Sequence, residues 1–330
     1  MVVRFSIILI YLLLAVLSAN SQTAILRHTI ENSYGVLSVK FSPDGKTLAC
    51  VGDHVFKLFD VKTGHILRTF EPDYDSMIES VAYSPNGKFL AISYGNTLKI
   101  LDVRSGKVHK TISVHSHTTN KTSHDYRSTS VKFSPDNKRI VTVSGGFEAL
   151  EGPIYGEVKL WDVKTGKLAL ELASENEFIW DVDFSPNGYW LASGSANGVA
   201  RVWDLQTKKP VAVLSQNEGA INSLTFTANG IKLIISGEDK LVRVWNTQGW
   251  KLDRQLEGHT DRVLSVVVYQ DKIISAGSGD HTIRIWEMGT GKTACVIKAD
   301  EYWNAVAISP DGKTIAAGSA DGTVMLWEIK

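Results

Sequence analysis

One pattern recurs along almost the whole chain and limits what it can fold into. It reads "VKFSPDGKTLACVG", "VAYSPNGKFLAISYG", "VKFSPDNKRIVTVSG", "VDFSPNGYWLASGS", "LTFTANGIKLIISG" and "VAISPDGKTIAAGS", with a degenerate copy, "VVVYQDKIISAGS", between the last two. An apolar run that closes on a polar residue follows each copy, with spacings of 42, 60, 42, 42, 41 and 41 residues between Asp60, Asp102, Asp162, Asp204, Asn246, Glu287 and Glu328. Self-similarity at a fixed period of this length indicates a repeat architecture.

Each period predicts four short strands. Apolar and polar residues alternate within the copies, and a short turn and a further strand follow the closing residue, as in "VKTGHILRTF" and "VRSGKVHKTI". A four-stranded sheet cannot bury both of its faces alone, and a radial arrangement of stacked sheets leaves only short, protected edges. The seven copies therefore predict an all-β fold, a seven-bladed β-propeller of four-stranded antiparallel blades.

The two ends of the chain predict how the ring closes. The last copy stops at Lys330 without an outer strand, whereas "AILRHTIEN", residues 24–32, is similar to an outer strand without the rest of its blade. Pairing of residues 22–32 with residues 322–328 would hide both exposed edges. We therefore predict one propeller domain over residues 22–330, closed by its N-terminal strand pairing with the last blade.

These repeats resemble the WD-repeat β-propeller family, and the resemblance covers residues 24–330. In that family a His, a Ser or Thr, an Asp and a Trp form a structural tetrad within a blade. The resemblance fills three of these positions in the sixth blade, with His259, Asp280 and Trp286. Ser193 lies ten residues before Trp203, but the residue ten before Trp286 is Ala276, so no blade is expected to hold the full set. We interpret His259 as structural rather than catalytic.

The N-terminus has the features of a secretory signal. Arg4 precedes an apolar run, residues 5–17, which is followed by the small and polar residues "SANSQ". The run is shorter than the roughly 20 residues that span a bilayer. We predict a signal peptide over residues 1–21, cleaved before Gln22 or after Ala19. The mature protein would be exported, extracellular or periplasmic, and would have no transmembrane segment. The alternative is an uncleaved membrane anchor.

The sequence carries no motif of a common enzyme class, because GxSxG, HExxH, CxxC and GxGxxG are all absent. "GTGKT", residues 289–293, ends like a phosphate-binding loop, but Trp286 stands where such a loop needs its first glycine. This segment also occupies the turn position that "VKTGK" has in other repeats. The net charge is +0 without a basic stripe, which argues against nucleic acid as a partner. We predict a non-catalytic protein without a cofactor, either monomeric or part of a hetero-complex.

Histidines concentrate in one segment, "SVHSHTTNKTSHDYR", which contains His115, His117 and His124. Neutral imidazoles bind zinc and copper, so residues 115–125 and the central channel could form an enzyme or a metal-dependent propeller. The spacing matches no zinc motif, and a solvated polar loop is the favoured interpretation. The triplet "NKT" makes Asn120 a glycosylation acceptor if the source is eukaryotic.

The wide third interval comes from two insertions, at residues 113–128 and 145–156. Strand alternation places both at the same end of the propeller, side by side, and the family resemblance implies that partners bind this end. We therefore predict an exported, non-catalytic scaffold that binds a protein or peptide partner through the loop-bearing face. Besides the metal-dependent alternative, a carbohydrate or small-ligand binding propeller stays open.

Alignment of the innermost strands on "FSP" gives the candidate partner-binding residues. One position holds Arg127, Phe178, Ala220, Arg262 and Tyr302, and the position two residues further holds Thr129, Trp180, Asn222, Leu264 and Asn304. The resemblance implies that these positions surround the channel mouth, together with Tyr126. Trp180 is the leading candidate, because no other repeat has an aromatic residue there and Trp dominates binding hot spots. The alternative is that Trp180 packs beneath the inserted loops.

Overall fold

The computed structural model describes residues 22–32, 35–52, 54–70, 77–114, 126–147, 154–172 and 177–330. Over these residues the chain forms 28 β-strands and no helix, arranged in seven four-stranded sheets. All neighbouring strands in these sheets are antiparallel, so the predicted all-β, seven-bladed propeller is confirmed. No helix that could cross a bilayer occurs in this part of the chain.

The strands follow one another from the centre of each blade to its rim. Blade 1 comprises β2 (Ser38–Phe41), β3 (Thr47–Gly52), β4 (Val55–Asp60) and β5 (Ile66–Phe70). Blade 2 comprises β6 (Ile78–Tyr83), β7 (Phe89–Tyr94), β8 (Thr97–Asp102) and β9 (Val108–Ser113). Blade 3 comprises β10 (Tyr126–Phe133), β11 (Arg139–Phe147), β12 (Ile154–Asp162) and β13 (Leu168–Leu172). Blades 4 and 5 comprise β14 (Ile179–Phe184), β15 (Trp190–Ser195), β16 (Ala200–Asp204) and β17 (Lys209–Leu214); and β18 (Ile221–Phe226), β19 (Lys232–Gly237), β20 (Val242–Asn246) and β21 (Lys251–Leu256). Blade 6 comprises β22 (Val263–Tyr269), β23 (Lys272–Gly277), β24 (Thr282–Glu287) and β25 (Thr293–Lys298).

The seventh blade closes the ring with strands from both ends of the chain. It contains β26 (Trp303–Ile308), β27 (Thr314–Ser319) and β28 (Thr323–Ile329), and its outer strand is β1 (Ala24–Glu31). The pairing of β1 with β28 runs from Ala24 opposite Ile329 to Glu31 opposite Thr323. Thr23 and Lys330 extend it through two backbone hydrogen bonds of 2.9 and 3.1 Å. The predicted closure is therefore confirmed.

The core lies between the blades. Apolar side chains form seven clusters, each of which joins two adjacent blades. The second strand of a blade is buried on both faces, as in "LACVG" of β3, because it faces a neighbouring sheet on each side. Each blade is thus stabilised mainly by its two neighbours, as expected for a repeat protein.

The recurring acidic and glycine residues form the turns between strands. In the first "SPDG" turn Ser42 Oγ donates to Asp44 Oδ1 at 2.6 Å, and the backbone N–H of Lys46 donates to the same oxygen at 3.1 Å. Gly291 of "GTGKT" has a φ of 75°, and its N–H donates to the carbonyl of Glu287 at 2.7 Å. That segment is therefore a turn between β24 and β25, as its place in the repeat predicts.

Candidate partner-binding site at the loop-bearing end

The two ends of the propeller differ in the segments they carry. We call one the loop-bearing end; it holds the connections between blades and between the second and third strands of each blade. The other, the turn end, holds the remaining connections. The stems of both predicted insertions meet at the loop-bearing end, where Tyr126 pairs with Gly146 and Gly145 pairs with Gly156. Residues 115–125 and 148–153 lie outside the described residues.

A ring of bulged residues surrounds the channel mouth at this end. The innermost strand of six blades contains a one-residue register shift close to its start, at Glu79, Thr129, Trp180, Asn222, Leu264 and Asn304. Together with Leu37 of blade 1 these residues line a central channel of about 460 Å³. A bulge re-aims a side chain and is frequent beside functional sites. The residues at the alignment position of Trp180 thus form a ring around the channel mouth.

Trp180 is the aromatic member of this ring. Its side chain is 37% exposed and stacks on Phe178, with ring centroids 5.6 Å apart and an interplanar angle of 13°. Phe178 lies directly on Gly145, where an added Cβ would come within 1.6 Å of the Phe178 ring. Since Gly145 belongs to the stem of the second insertion, Phe178 is the packed base of the pair and Trp180 is its exposed surface.

Three polar members of the ring bind the neighbouring blade. Thr129 Oγ1 donates to the carbonyl of Ile179 at 2.6 Å. Asn222 Nδ2 donates to the carbonyl of Val263 at 3.3 Å, and Asn304 Nδ2 donates to that of Val36 at 3.1 Å. Each of these bonds crosses from one innermost strand to the start of the next. These three side chains therefore hold adjacent blades together, in addition to any contact with a partner.

The remaining candidate residues lie on the same end. Tyr302 is 56% exposed and packs edge-on against His281, with centroids 4.6 Å apart. Arg262 is exposed in the loop before β22. For Tyr126 and Arg127 the strand pairing is described, whereas their side chains lie outside the described part of the chain.

The sixth blade contains a complete hydrogen-bonded tetrad, which corrects the expectation that no blade holds the full set. Trp286 Nε1 donates to Ser275 Oγ at 2.8 Å, and the hydroxyl of Ser275 contacts His259 Nε2 at 2.7 Å. His259 Nδ1 lies 2.6 Å from Asp280 Oδ2, so its proton is on Nδ1. Burial opposes ionisation of Asp280, but the bonds from His259 and Thr282 outweigh it and lower its pKa to about 2. All four side chains are buried, which gives them a structural role.

The fourth member of the tetrad, Ser275, was missed because its spacing from the Trp differs from that in blade 4. Ser275 lies 11 residues before Trp286, whereas Ser193 lies 10 before Trp203. The paired positions are equivalent, because Ser275 is opposite Arg284 and Ser193 is opposite Arg201. The chain therefore has one more residue between Ser275 and Arg284 than between Ser193 and Arg201, so a fixed spacing of ten from Trp286 points to Ala276 instead of Ser275.

Family models match several parts of the chain. The model of the WD domain, G-beta repeat, matches residues 22–60 and 292–328. The model of the nucleolar protein 10-like N-terminal domain matches residues 150–280, and that of the anaphase-promoting complex subunit 4 WD40 domain matches residues 69–136. A search of curated proteins found no match.

The chain belongs to the WD-repeat propeller family. WD-repeat propellers typically mediate protein interactions and are generally non-enzymatic. The family therefore agrees with a binding role for the ring at the channel mouth. The family does not specify the partner, so the residues of this WD-repeat propeller itself have to indicate what it binds.

We expect Ser275→Ala to destabilise this WD-repeat propeller by about 2–3 kcal/mol, because it leaves buried nitrogen atoms of His259 and Trp286 without a partner. Ser193→Ala is the matched control. The bond from Trp203 Nε1 to Ser193 Oγ is 3.4 Å long, so we expect a loss of about 1 kcal/mol or less. Urea unfolding of both variants measures the difference, and equal losses would refute the special role of the sixth blade.

Below the mouth, hydrogen bonds connect the innermost strands of adjacent blades of the WD-repeat propeller. Ser80, Ser223 and Ser265 each accept the backbone N–H of the next innermost strand at 3.1–3.3 Å, from Val131, Val266 and Val306. In blade 4 an acid takes this position. Asp181 accepts from Ser130 Oγ of blade 3 at 2.8 Å and from Leu224 N–H of blade 5 at 2.9 Å, so it links three blades.

Four charged side chains, one of which is Asp181, lie close to these serines, below the channel mouth. Lys40 and Lys132 line the channel with Asp181, and Asp183 accepts the N–H of Phe226 at 2.9 Å. Burial opposes the charge of Lys132, but Asp181 and Asp183 outweigh it and raise its pKa. Burial and the repulsion of Lys132 lower the pKa of Lys40 to about 8, and burial raises the pKa of Asp183. We did not select these residues from the sequence. The charged middle residue of "VKF" and "VDF" in the innermost strands could have indicated them.

The loop-bearing end of the WD-repeat propeller is acidic and the turn end is basic. The described connections at the loop-bearing end contain two basic residues, Lys240 and Arg262, and ten carboxylates: Glu177, Glu218, Glu238, Asp239, Glu257, Asp261, Asp280, Asp300, Glu301 and Asp321. Burial and the hydrogen-bonded Asp321 raise the pKa of Glu301 to about 7. The connections at the turn end contain eleven basic residues and four carboxylates. The net charge of +0 therefore conceals two faces of opposite sign.

The histidine segment stays a prediction. His115, His117, His124 and Asn120 all lie outside the described residues of this WD-repeat propeller. Within the described residues, no group of three or more His, Cys, Asp or Glu side chains is placed to bind a metal ion.

Proposed function

We propose that this protein is an exported, non-catalytic interaction module that binds a protein or peptide with the loop-bearing end of its propeller. The observation that carries the proposal is the position of Trp180. It is exposed at the channel mouth, supported from below by Phe178, and unmatched by an aromatic residue at the equivalent ring position of any other blade. A rigid, partly exposed Trp beside a concave mouth is typical of a binding hot spot.

The charge of this end indicates the chemistry of the partner. Glu177 precedes the aromatic pair, and Asp181 follows it. The end as a whole carries a large excess of carboxylates over basic residues. Complementary potentials steer association, and a cationic side chain is attracted to the face of a Trp ring. We therefore infer that the contacting segment of the partner is basic, with a Lys or Arg close to Trp180.

Capture of the partner from the native source tests this function. The immobilised protein and its Trp180→Ala variant are incubated with the same extract at low and at high ionic strength. We expect the natural chain to retain a discrete protein, less of it at high salt because exposed charges are screened, and the variant to lose it. Retention of the same protein by both chains would contradict the proposal.

Export is tested on the native protein. We expect N-terminal sequencing or intact mass to show a first residue close to Asn20 or Gln22, since the signal is removed during export. The protein should be found outside the cytoplasmic compartment. A native protein that begins at Met1 and is recovered with the membrane fraction would refute cleavage and favour the uncleaved anchor.

A further inference from the structure

Blades 4 and 5 break the repeat at the turn end with apolar residues. In the turn between the first and second strands, four blades carry a lysine after the glycine or asparagine: Lys46, Lys88, Lys138 and Lys313. The equivalent residues of blades 4 and 5 are Tyr189 and Ile231, whose side chains are 66% and 45% exposed. Exposed positions in a turn do not need apolar side chains for folding, because lysine occupies the same place elsewhere in this chain.

Trp250 is a third departure on the same end. It has a φ of 52°, at a position where four other blades have a glycine with a φ of 70–75°: Gly64, Gly106, Gly166 and Gly291. A bulky residue in the left-handed region is uncommon and strained. Trp250 packs edge-on against Trp190, the residue after Tyr189, with centroids 5.2 Å apart. We call Tyr189, Ile231 and the half-buried pair Trp190 and Trp250 the apolar patch of blades 4 and 5.

The patch lies on the basic end of the disc. Eleven basic residues and four carboxylates occupy the connections of this end. The terminal residues of the strands that meet these connections add five basic residues and five carboxylates, and Glu328 lies one residue inside β28, so the positive excess remains. Exposed aromatic and aliphatic side chains together with lysines are typical of surfaces that lie at a bilayer interface, where aromatic rings enter the headgroup level and lysines contact lipid phosphates.

The N-terminal apolar run is connected to this same end. Thr23 exchanges backbone hydrogen bonds with Lys330, and Ile329 donates to the carbonyl of Lys313 in a turn-end loop. Gln22 thus starts the described chain at the turn end, directly after the segment that contains the apolar residues 5–17. In the alternative in which the run stays uncleaved, it would leave the propeller at the turn end.

We propose that the turn end is a membrane-binding surface that docks on an anionic lipid bilayer. Tyr189 and Ile231 enter the headgroup region, and the lysines of the same end contact the lipid phosphates. The acidic loop-bearing end then points away from the bilayer toward the partner. This surface is separate from the proposed partner site, and each can fail without the other.

Vesicle sedimentation tests the surface. The probes are vesicles of phosphatidylcholine alone and vesicles that contain phosphatidylglycerol, and the test variant is Tyr189→Lys combined with Ile231→Lys. Both substitutions install the residue that other blades carry at this position, so the fold is kept. They also add two positive charges, which would strengthen a purely electrostatic attraction. If the apolar residues enter the bilayer, the partition coefficient for the anionic vesicles instead falls about tenfold or more.

The control is Val213→Lys, which changes an exposed apolar residue, 57% accessible, on the rim strand of blade 4. We expect it to bind as the natural chain does. Each chain is assayed in two forms, one with the complete N-terminus and one that starts at Gln22, so that residues 1–21 do not dominate the result. The variants must unfold at the same temperature as the natural chain. Unchanged or tighter binding of the double variant overturns the proposal. Equal binding to neutral vesicles, or binding to heparin without binding to vesicles, also overturns it.

Discussion

Deletion of residues 24–31 is expected to abolish soluble, cooperatively folding protein. These residues form the outer strand of the seventh blade and pair along almost the whole length of β28. Ile30 packs in the cluster that joins blades 7 and 1, and Arg27 forms an ion pair with Glu328. Without β1, the unpaired groups of β28 become a template for pairing with another chain. Blades 7 and 1 still meet through their inner strands, as in the bond from Asn304 to Val36, but the seventh blade would keep only three strands and an open outer edge.

Soluble yield and thermal unfolding of the truncated chain measure this effect. Leu26→Ser is the control, because it changes an exposed side chain of the same strand and keeps the backbone pairing with β28. We expect the control to change the free energy of unfolding by about 0.5 kcal/mol or less. Thermal unfolding of the truncated chain at an unchanged temperature would disprove the closure by β1.

Trp180→Ala is expected to weaken partner binding by about 2 kcal/mol or more, roughly thirtyfold, while the fold is kept. The exposed ring lies above Phe178 and makes the outer surface of the pair. Phe178→Ala should reduce both stability and binding, because Phe178 fills the space beside Gly145. Arg127→Ala tests the third predicted contact of this group. Affinity by titration calorimetry and stability by urea unfolding separate the two effects.

Thr129→Val is the matched control for this face. Thr129 belongs to the same ring, but its hydroxyl donates to the carbonyl of Ile179 at 2.6 Å. We expect Thr129→Val to lower stability by about 1 kcal/mol and to reduce affinity much less than Trp180→Ala does. If Trp180→Ala unfolds the protein, Trp180 is a packing residue. If the folded variant binds normally, the channel mouth is not the binding site.

The fold could be predicted because each local signal is repeated around the ring. The closing strand was found in this way, since "AILRHTIEN" is similar to "HILRTFEP" and the last repeat lacks that piece. Repetition also explains the error at Ser275. A fixed spacing from Trp286 fails when one hairpin has an extra residue between its paired positions, and strand register, which identifies Ser275, is a property of the folded sheet.

The candidate site could be predicted in position but not in detail. The alignment brought Trp180 and its equivalents to one level of the propeller, yet the bulge that aims them at the mouth depends on sheet geometry. The hydrogen bonds of Thr129, Asn222 and Asn304 to the next blade depend on how blades pack. Tyr189 and Ile231 were visible as departures from "SPDGK", but only the fold shows that they share one end with Trp250.

Site-specific photo-crosslinking is the most direct test of the claim that partners bind at the loop-bearing end. A photoreactive phenylalanine replaces Tyr302, which is exposed at that end, and in a second protein it replaces Val213 on the rim. Both proteins are irradiated in the native compartment. We predict a crosslinked species of one discrete mass from position 302, which disappears when Trp180→Ala is added, and none from position 213. Crosslinking to the same species from position 213, or from position 302 regardless of Trp180→Ala, would contradict the account.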